Sequence, residues 1–173
     1  MSLTATAPFQ STEDPTLPLG ENPTWADVHA DAAVVGRQDD GPWPVVAIAY
    51  DEGFRETMDY FRVVLRTGET SARALALTTR VVAVNPANYT AWHWRRQCLD
   101  ALLASDPDAV DLAEEQAFCD EAARKTPKNY QIWHQRRWLV DKRGESAAVA
   151  ELAFTAEVFE TDAKNYHAWA SRQ

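Results

Sequence analysis

Cysteine is scarce in this chain: Cys98 and Cys119 are the two in 173 residues. Both fall inside segments of helical pattern, so a disulfide framework is not expected and they read as free, packed thiols in a reducing compartment. Positive charge is also in short supply, with 17 Lys plus Arg against 26 Asp plus Glu and a net charge of -9. That balance argues against a nucleic-acid surface. No run of 18 apolar residues occurs, so no helical membrane span is expected. The start, Met1 to Pro8, lacks the basic and apolar regions of a secretory signal, and a cytoplasmic protein is the expectation. Catalytic signatures are missing too: there is no His-Glu-x-x-His, Cys-x-x-Cys, Gly-rich phosphate loop or Gly-x-Ser-x-Gly. No metal-ligand set and no self-sufficient active site is expected. Glu114-Glu115 is read as a solvated helix face, and His93 and His134 as repeat features rather than ligands.

What the chain does contain is a repeat. Asn88-Tyr89-Thr90-Ala91-Trp92-His93-Trp94-Arg95-Arg96 returns as Asn129-Tyr130-Gln131-Ile132-Trp133-His134-Gln135-Arg136-Arg137 and as Asn165-Tyr166-His167-Ala168-Trp169-Ala170-Ser171-Arg172. The spacings, 41 and then 36 residues, are those of stacked structural units. In each copy Asn suits a helix N-cap, where its side chain accepts from an unpaired first-turn N–H. Pro86 and Pro127 stop the preceding helices. Trp92, Trp133 and Trp169 are expected between neighbouring hairpins, and Arg95, Arg136 and Arg172 are expected to pair with carboxylates or last-turn carbonyls.

Residues 1 to about 45, rich in Pro, Ser, Thr, Asp and Glu, predict a mostly disordered tail, with a short helix conceivable over Thr24 to Val35. Val45 to Ala49 reads as an extended lead-in packed on the first helix. From residue 46 to 173 the pattern is helical. Phe54, Met58, Phe61 and Leu65 share one face of a helix ending at Thr67-Gly68, and Ser71 caps the next, which stops at Pro86. Hairpins then run over 88–104 with 110–124 and over 129–142 with 146–159, and a further helix opens near 165. On the helix before it, Val149, Leu152, Ala153, Ala156 and Phe159 predict an apolar stripe. The architecture expected is all-α, an α-α superhelix: a solenoid of antiparallel helical hairpins. The end at Trp169 to Gln173 without a polar cap predicts a fragment of a longer protein.

Polar and aromatic residues collect at one end of successive hairpins: Tyr89, Lys128, Tyr130, Gln131, Lys164, Tyr166 and His167. Beside helix N-termini such a row suits an anion such as phosphate. Ordinary loop lysines and spacer tyrosines fit the same pattern, and the residues alone leave both readings open.

The phased motif Asn-Tyr-x-x-Trp-His-x-Arg-Arg, preceded by Pro-Lys, resembles the repeat of the protein prenyltransferase α-subunits. With Tyr50 to Arg55, Asp59 to Arg62 and Asp162 to Trp169, it is most similar to the branch shared by farnesyltransferase and type I geranylgeranyltransferase. That resemblance implies a heterodimer with a β-subunit that carries zinc, and magnesium in the complex. It also implies transfer of an isoprenoid from its diphosphate to the cysteine of a CaaX-terminated protein. It assigns Lys128 a catalytic role at the diphosphate. It places Tyr130, Asn165, Tyr166 and His167 along the active-site wall, Gln131 at the terminal carboxylate of the peptide, Tyr89 at the last CaaX residue, and Lys164 near phosphate. The Rab geranylgeranyltransferase α-subunit is the nearest alternative. A non-catalytic tetratricopeptide-like scaffold fits less well, because its units run 34 residues.

Overall fold

The computed structural model describes residues 14–28, 42–43, 45–46 and 48–173. Among the described residues seven α-helices follow in order: α1 Glu52–Thr67, α2 Ala72–Val84, α3 Tyr89–Ser105, α4 Leu112–Lys125, α5 Tyr130–Arg143, α6 Glu145–Thr161 and α7 Tyr166–Ser171. Strands are absent among the described residues. Sequence-adjacent helices pack closely except α3 with α4, which are joined through the Arg95–Glu115 pair, and the first helices of the repeats also stack, α3 on α5 and α5 on α7.

Local chemistry sets each boundary. Asp51, Ser71, Asn88, Asp111, Asn129 and Asn165 all accept from first-turn N–H groups of the helices they precede. Gly68 closes α1 in the left-handed conformation at φ 71°, which costs a glycine nothing. Only Gly144, at φ 62°, separates α5 from α6.

Two buried arginines hold the layers together. Arg95 donates from Nε to Glu115 Oε1 at 2.8 Å and from Nη1 to the hydroxyls of Thr78 and Thr79, both at 2.9 Å. Its guanidinium lies 4.4 Å from the Phe118 ring centroid. One repeat later Arg136 pairs with Glu151 at 2.5 Å and with Asp120, and lies 3.6 Å from the Phe154 ring centroid. Both arginine side chains are 0% exposed. Arg172 follows the pattern more loosely, donating to Thr155 Oγ1 and Leu152 O. Glu115 is therefore a buried ion-pair partner, not part of a solvated face; Glu114 beside it is exposed. Helix periodicity cannot reveal this, because the carboxylate goes inside only when a guanidinium waits there.

The same pairing turns α6 away from its apolar stripe. Val149 is 77% and Leu152 50% exposed, whereas Ala147, Glu151, Phe154, Thr155 and Val158 are buried. Alanine on every side leaves the phase of α6 undetermined by hydrophobicity, and Arg136 settles it by drawing Glu151 inward. On α1 the buried face centres on Thr57, Tyr60, Phe61 and Val64, with Phe54, Met58 and Leu65 at its margins.

Within the segment expected to be mostly disordered, residues 14–28 form a strap across α1 and α2. Leu19 and Trp25 are fully buried, in or beside two 3₁₀ turns. Trp25 meets Tyr60 edge-on at 5.6 Å, and Arg73 lies over the Trp25 ring at 4.8 Å. Arg80 donates to the carbonyls of Leu17 and Asp14. The missed signal was two bulky apolar residues amid the prolines. The expected helix over Thr24 to Val35 is a 3₁₀ turn at Pro23–Trp25, and residues 29–35 lie outside the described residues. The lead-in does not pack as expected: Val45 is 98%, Val46 81% and Ile48 55% exposed, and Ala47 is not among the described residues. Tyr50, by contrast, stacks on Phe54 at 5.0 Å. Leu19 and Trp25 already cover the face of α1 that the lead-in would have used.

Substituting Arg95→Leu should destabilise the fold by about 3–5 kcal/mol, because Glu115 is left buried and unpaired. The double change with Glu115→Leu should recover much of that loss, and urea unfolding of both variants measures the difference.

Candidate functional site

The three Asn caps build one edge of the array by a shared device. Trp92 Nε1 donates to Pro86 O at 2.8 Å, Trp133 Nε1 to Pro127 O at 2.8 Å, and Trp169 Nε1 to Ala163 O at 3.0 Å. Each ring thereby bonds the carbonyl six residues before it. Asn129 Nδ2 crosses to Pro86 O at 2.9 Å, and Asn165 Nδ2 crosses to Pro127 O at 3.0 Å. Each proline carbonyl thus accepts two hydrogen bonds, one from its own repeat and one from the next. The turns that carry Tyr89, Lys128 and Lys164 are fixed relative to one another by this ladder.

Lys128, Tyr130, Gln131, Tyr166 and His167 come together on that edge. Tyr130 meets the His167 ring edge-on at 4.5 Å and Tyr166 at 5.8 Å, and Tyr166 lies 4.0 Å from His167. Trp133 stacks parallel to His167 at 6.1 Å. Lys128, Tyr130 and Gln131 line an open groove of about 580 Å³ with Ala87, Thr126, Pro127 and Asn129. Tyr130 and Tyr166 are 67% and 52% exposed, while His167 is 6% exposed and its Nε2 is buried without a hydrogen-bond partner. Desolvation and a hydrogen bond with the Tyr130 side chain push the Tyr166 hydroxyl up to about 12, so it stays a neutral donor. Burial holds His167 below its ordinary 6.5, against a smaller opposing pull from a backbone hydrogen bond with Lys128. The cluster therefore presents neutral donors beside one cation.

The other nominated residues sit differently. Tyr89 is 70% exposed at the start of α3, and no ring contact joins it to Tyr130 among the described residues. Asn165 is 2% exposed, and its side chain is occupied by the cap and the cross-repeat bond. Lys164 is exposed, its N–H donating to Asp162 Oδ1 at 3.1 Å. Asp162 is the residue that sequence reasoning passed over: its Oδ2 lies 3.2 Å from Lys128 Nζ. Superposing the repeats marks its position, three residues before the cap, where Asn85 and Thr126 stand in the other copies, but not its partner.

The described residues do not suit zinc. Among the described residues no group of three or more His, Cys, Asp or Glu side chains could hold a metal ion. Burial pushes the Cys98 thiol up to about 12 and the fully buried Cys119 thiol well above its ordinary value, whereas a metal ligand must be thiolate. Nor is any helix among the described residues long and apolar enough to cross a membrane.

The family model described as "Protein prenyltransferase alpha subunit repeat" matches residues 71–102, 112–143 and 149–173. Each match takes in a helix before an Asn cap and the helix after it. Among curated proteins, the chain is similar to the protein farnesyltransferase/geranylgeranyltransferase type-1 subunit alpha of Solanum lycopersicum, 52% identical over 107 residues, which are 62% of this chain and 28% of that protein. The subunit of the same name from Pisum sativum is 48% identical over 140 residues, 81% of this chain and 39% of that protein. The geranylgeranyl transferase type-2 subunit alpha of Rattus norvegicus is 32% identical over 111 residues, 62% of this chain and 20% of that protein. Among solved structures, Candida albicans protein geranylgeranyltransferase-I complexed with GGPP matches with a TM-score of 0.67 at 26% identity, covering 82% of this chain and 48% of that one. The chain thus spans roughly a third of the length of the type-1 relatives it matches.

Because His167 is held below 6.5, the unfolded chain takes up its proton first as acidity rises. Stability should be complete above about pH 6.5 and fall as pH drops below it. His134, shifted the same way by desolvation and Arg96, adds to the fall. His167→Gln should show a shallower decline between pH 7.5 and 5.5 when urea midpoints are compared.

Proposed function

We propose that this chain, which belongs to the protein prenyltransferase alpha subunit repeat family, serves as the α-subunit of a CaaX protein prenyltransferase in the cytoplasm. The observation that carries the reading is the grouping of Lys128 with Tyr130, Tyr166 and His167 on one edge of the array. The cluster offers a cation and neutral donors, so it suits binding an anion against a partner that brings the rest. That partner would be a β-subunit carrying zinc, whose chemistry there would be to favour the thiolate of the substrate cysteine, and magnesium would offset charge on the diphosphate.

In the reaction proposed, the cysteine sulfur bonds to the first carbon of a farnesyl or geranylgeranyl group while the carbon–oxygen bond breaks and diphosphate leaves with its electron pair. Lys128 meets the charge that grows on the leaving oxygens, where a fixed cation favours the transition state over the ground state. The Tyr130 and Tyr166 hydroxyls donate to the same oxygens, and His167 braces both rings. Gln131, half-buried at the groove, is positioned for the terminal carboxylate of the peptide, with Tyr89 at the last CaaX residue and Lys164 toward phosphate. Asn165 acts through the turn that it caps. The lower identity to the type-2 relative, 32% against 48% and 52% for the two type-1 relatives above, supports reading short CaaX peptides rather than Rab tails as the acceptor.

Co-purification of the chain with a type-1 β-subunit gives the assay. Lys128→Ala should lower kcat for transfer from farnesyl diphosphate to a CaaX peptide by about 10²-fold, the usual effect of removing one such electrostatic donor. Unchanged transfer would overturn the assignment of Lys128, and transfer to Rab tails in preference to CaaX peptides would move the chain to the type-2 class.

A further inference from the structure

Three equivalent turns precede the Asn caps, and they differ in one chemical respect. In each, the cap N–H donates to the carbonyl three residues back: Asn88 to Asn85 at 3.1 Å, Asn129 to Thr126 at 3.1 Å, and Asn165 to Asp162 at 3.0 Å. Asn85 Oδ1 accepts from Ala87 N at 3.2 Å and Asp162 Oδ1 from Lys164 N at 3.1 Å, so a neutral side chain supports the turn as well as a charged one. The negative charge at position 162 is therefore not needed for the turn. It has one oxygen left over, Oδ2, and that oxygen faces Lys128 Nζ across the repeat boundary at 3.2 Å.

Lys128 is consequently held by the following repeat through its ammonium, which meets Asp162. Without the carboxylate, a side chain that is 75% exposed on a flexible four-carbon stem would sample many rotamers. An exposed pair of this kind adds little to stability, but it selects where the ammonium waits. Asp162 itself is set by its backbone bond to Lys164 N, on a turn anchored through Asn165 to Pro127 O.

We propose that Asp162 is the positioning residue for Lys128, its carboxylate holding the ammonium at the rim of the groove that Lys128 shares with Tyr130 and Gln131 until a diphosphate replaces it as counter-ion. This rests on the role of Lys128 given above. Asp162 touches no substrate and acts only through the lysine, and its charge is matched to this single repeat boundary.

A double-mutant cycle in the complex with the β-subunit tests it. Asp162→Asn should preserve the turn, as Asn85 does, and leave the thermal midpoint unchanged. It should lower kcat with farnesyl diphosphate about threefold, in keeping with an exposed ion pair, with KM for the CaaX peptide unaltered. In a Lys128→Ala background the same change should have no effect. No effect in the wild-type background, or an equal effect in both backgrounds, overturns the proposal. In the chain alone, the NMR signals of the Lys128 ε-methylene and ammonium should shift on Asp162→Asn; unaltered signals also overturn it. If Lys128→Ala leaves transfer intact while those signals shift, the functional reading of Lys128 fails and the pairing stands.

Discussion

Arg95 and Arg136 are fully enclosed charges, and the packing of the array follows from what they require. A guanidinium removed from water needs a carboxylate and further acceptors, since its desolvation is otherwise uncompensated. Glu115 and Glu151 answer that need, and each brings a phenylalanine three residues on, Phe118 or Phe154, over the guanidinium plane. Placing the glutamate inside fixes the rotation of α4 and α6 about their axes. Glu115 also accepts from Gln135 of α5, whose amide oxygen accepts in turn from Arg96 of α3. One buried ion pair thereby ties four helices, α2 through Thr78 and Thr79 and then α3, α4 and α5.

At the edge of the array a second constraint operates, and it is geometric rather than electrostatic. A carbonyl has two lone pairs, and the Pro86 and Pro127 carbonyls use both: an indole N–H from the same repeat and an Asn amide from the next. Proline suits the position because it ends the preceding helix, which leaves its carbonyl free of the helical ladder. The Asn side chain is then bifunctional, its oxygen capping its own helix and its nitrogen measuring the distance to the previous turn. Replacing that oxygen-and-nitrogen pair by a carboxylate would keep the cap and lose the measure.

The cluster of Lys128, Tyr130, Tyr166 and His167 is a by-product of this registration. Residues one and two places past the Asn cap project from a turn already fixed by the ladder, so aromatic rings from adjacent repeats meet at 4.5–5.8 Å. The same stacking that buries His167 and keeps it neutral leaves Tyr130 and Tyr166 partly exposed. An edge made this way sets aromatic hydroxyls and a lysine side by side, the arrangement on which the subunit role proposed above rests.

Sequence alone determined the helical class, the repeat, the caps and the pairing of each repeat Arg, because these rest on contacts within one helical turn or on a motif copied three times. It also placed Lys128, Tyr130, Gln131, Tyr166 and His167 at one end, since the cap register is readable from Asn, Pro and Trp. Tertiary structure decided the rest. Hydrophobic periodicity misplaced the inward face of α6, because alanine makes that helix nearly uniform and Arg136 chooses Glu151 over Leu152. Leu19 and Trp25 were invisible as core among prolines, for the surface they cover belongs to helices more than 30 residues away. Asp162 looked like any turn residue until the fold brought it within 3.2 Å of Lys128, a distance that no spacing within one repeat encodes.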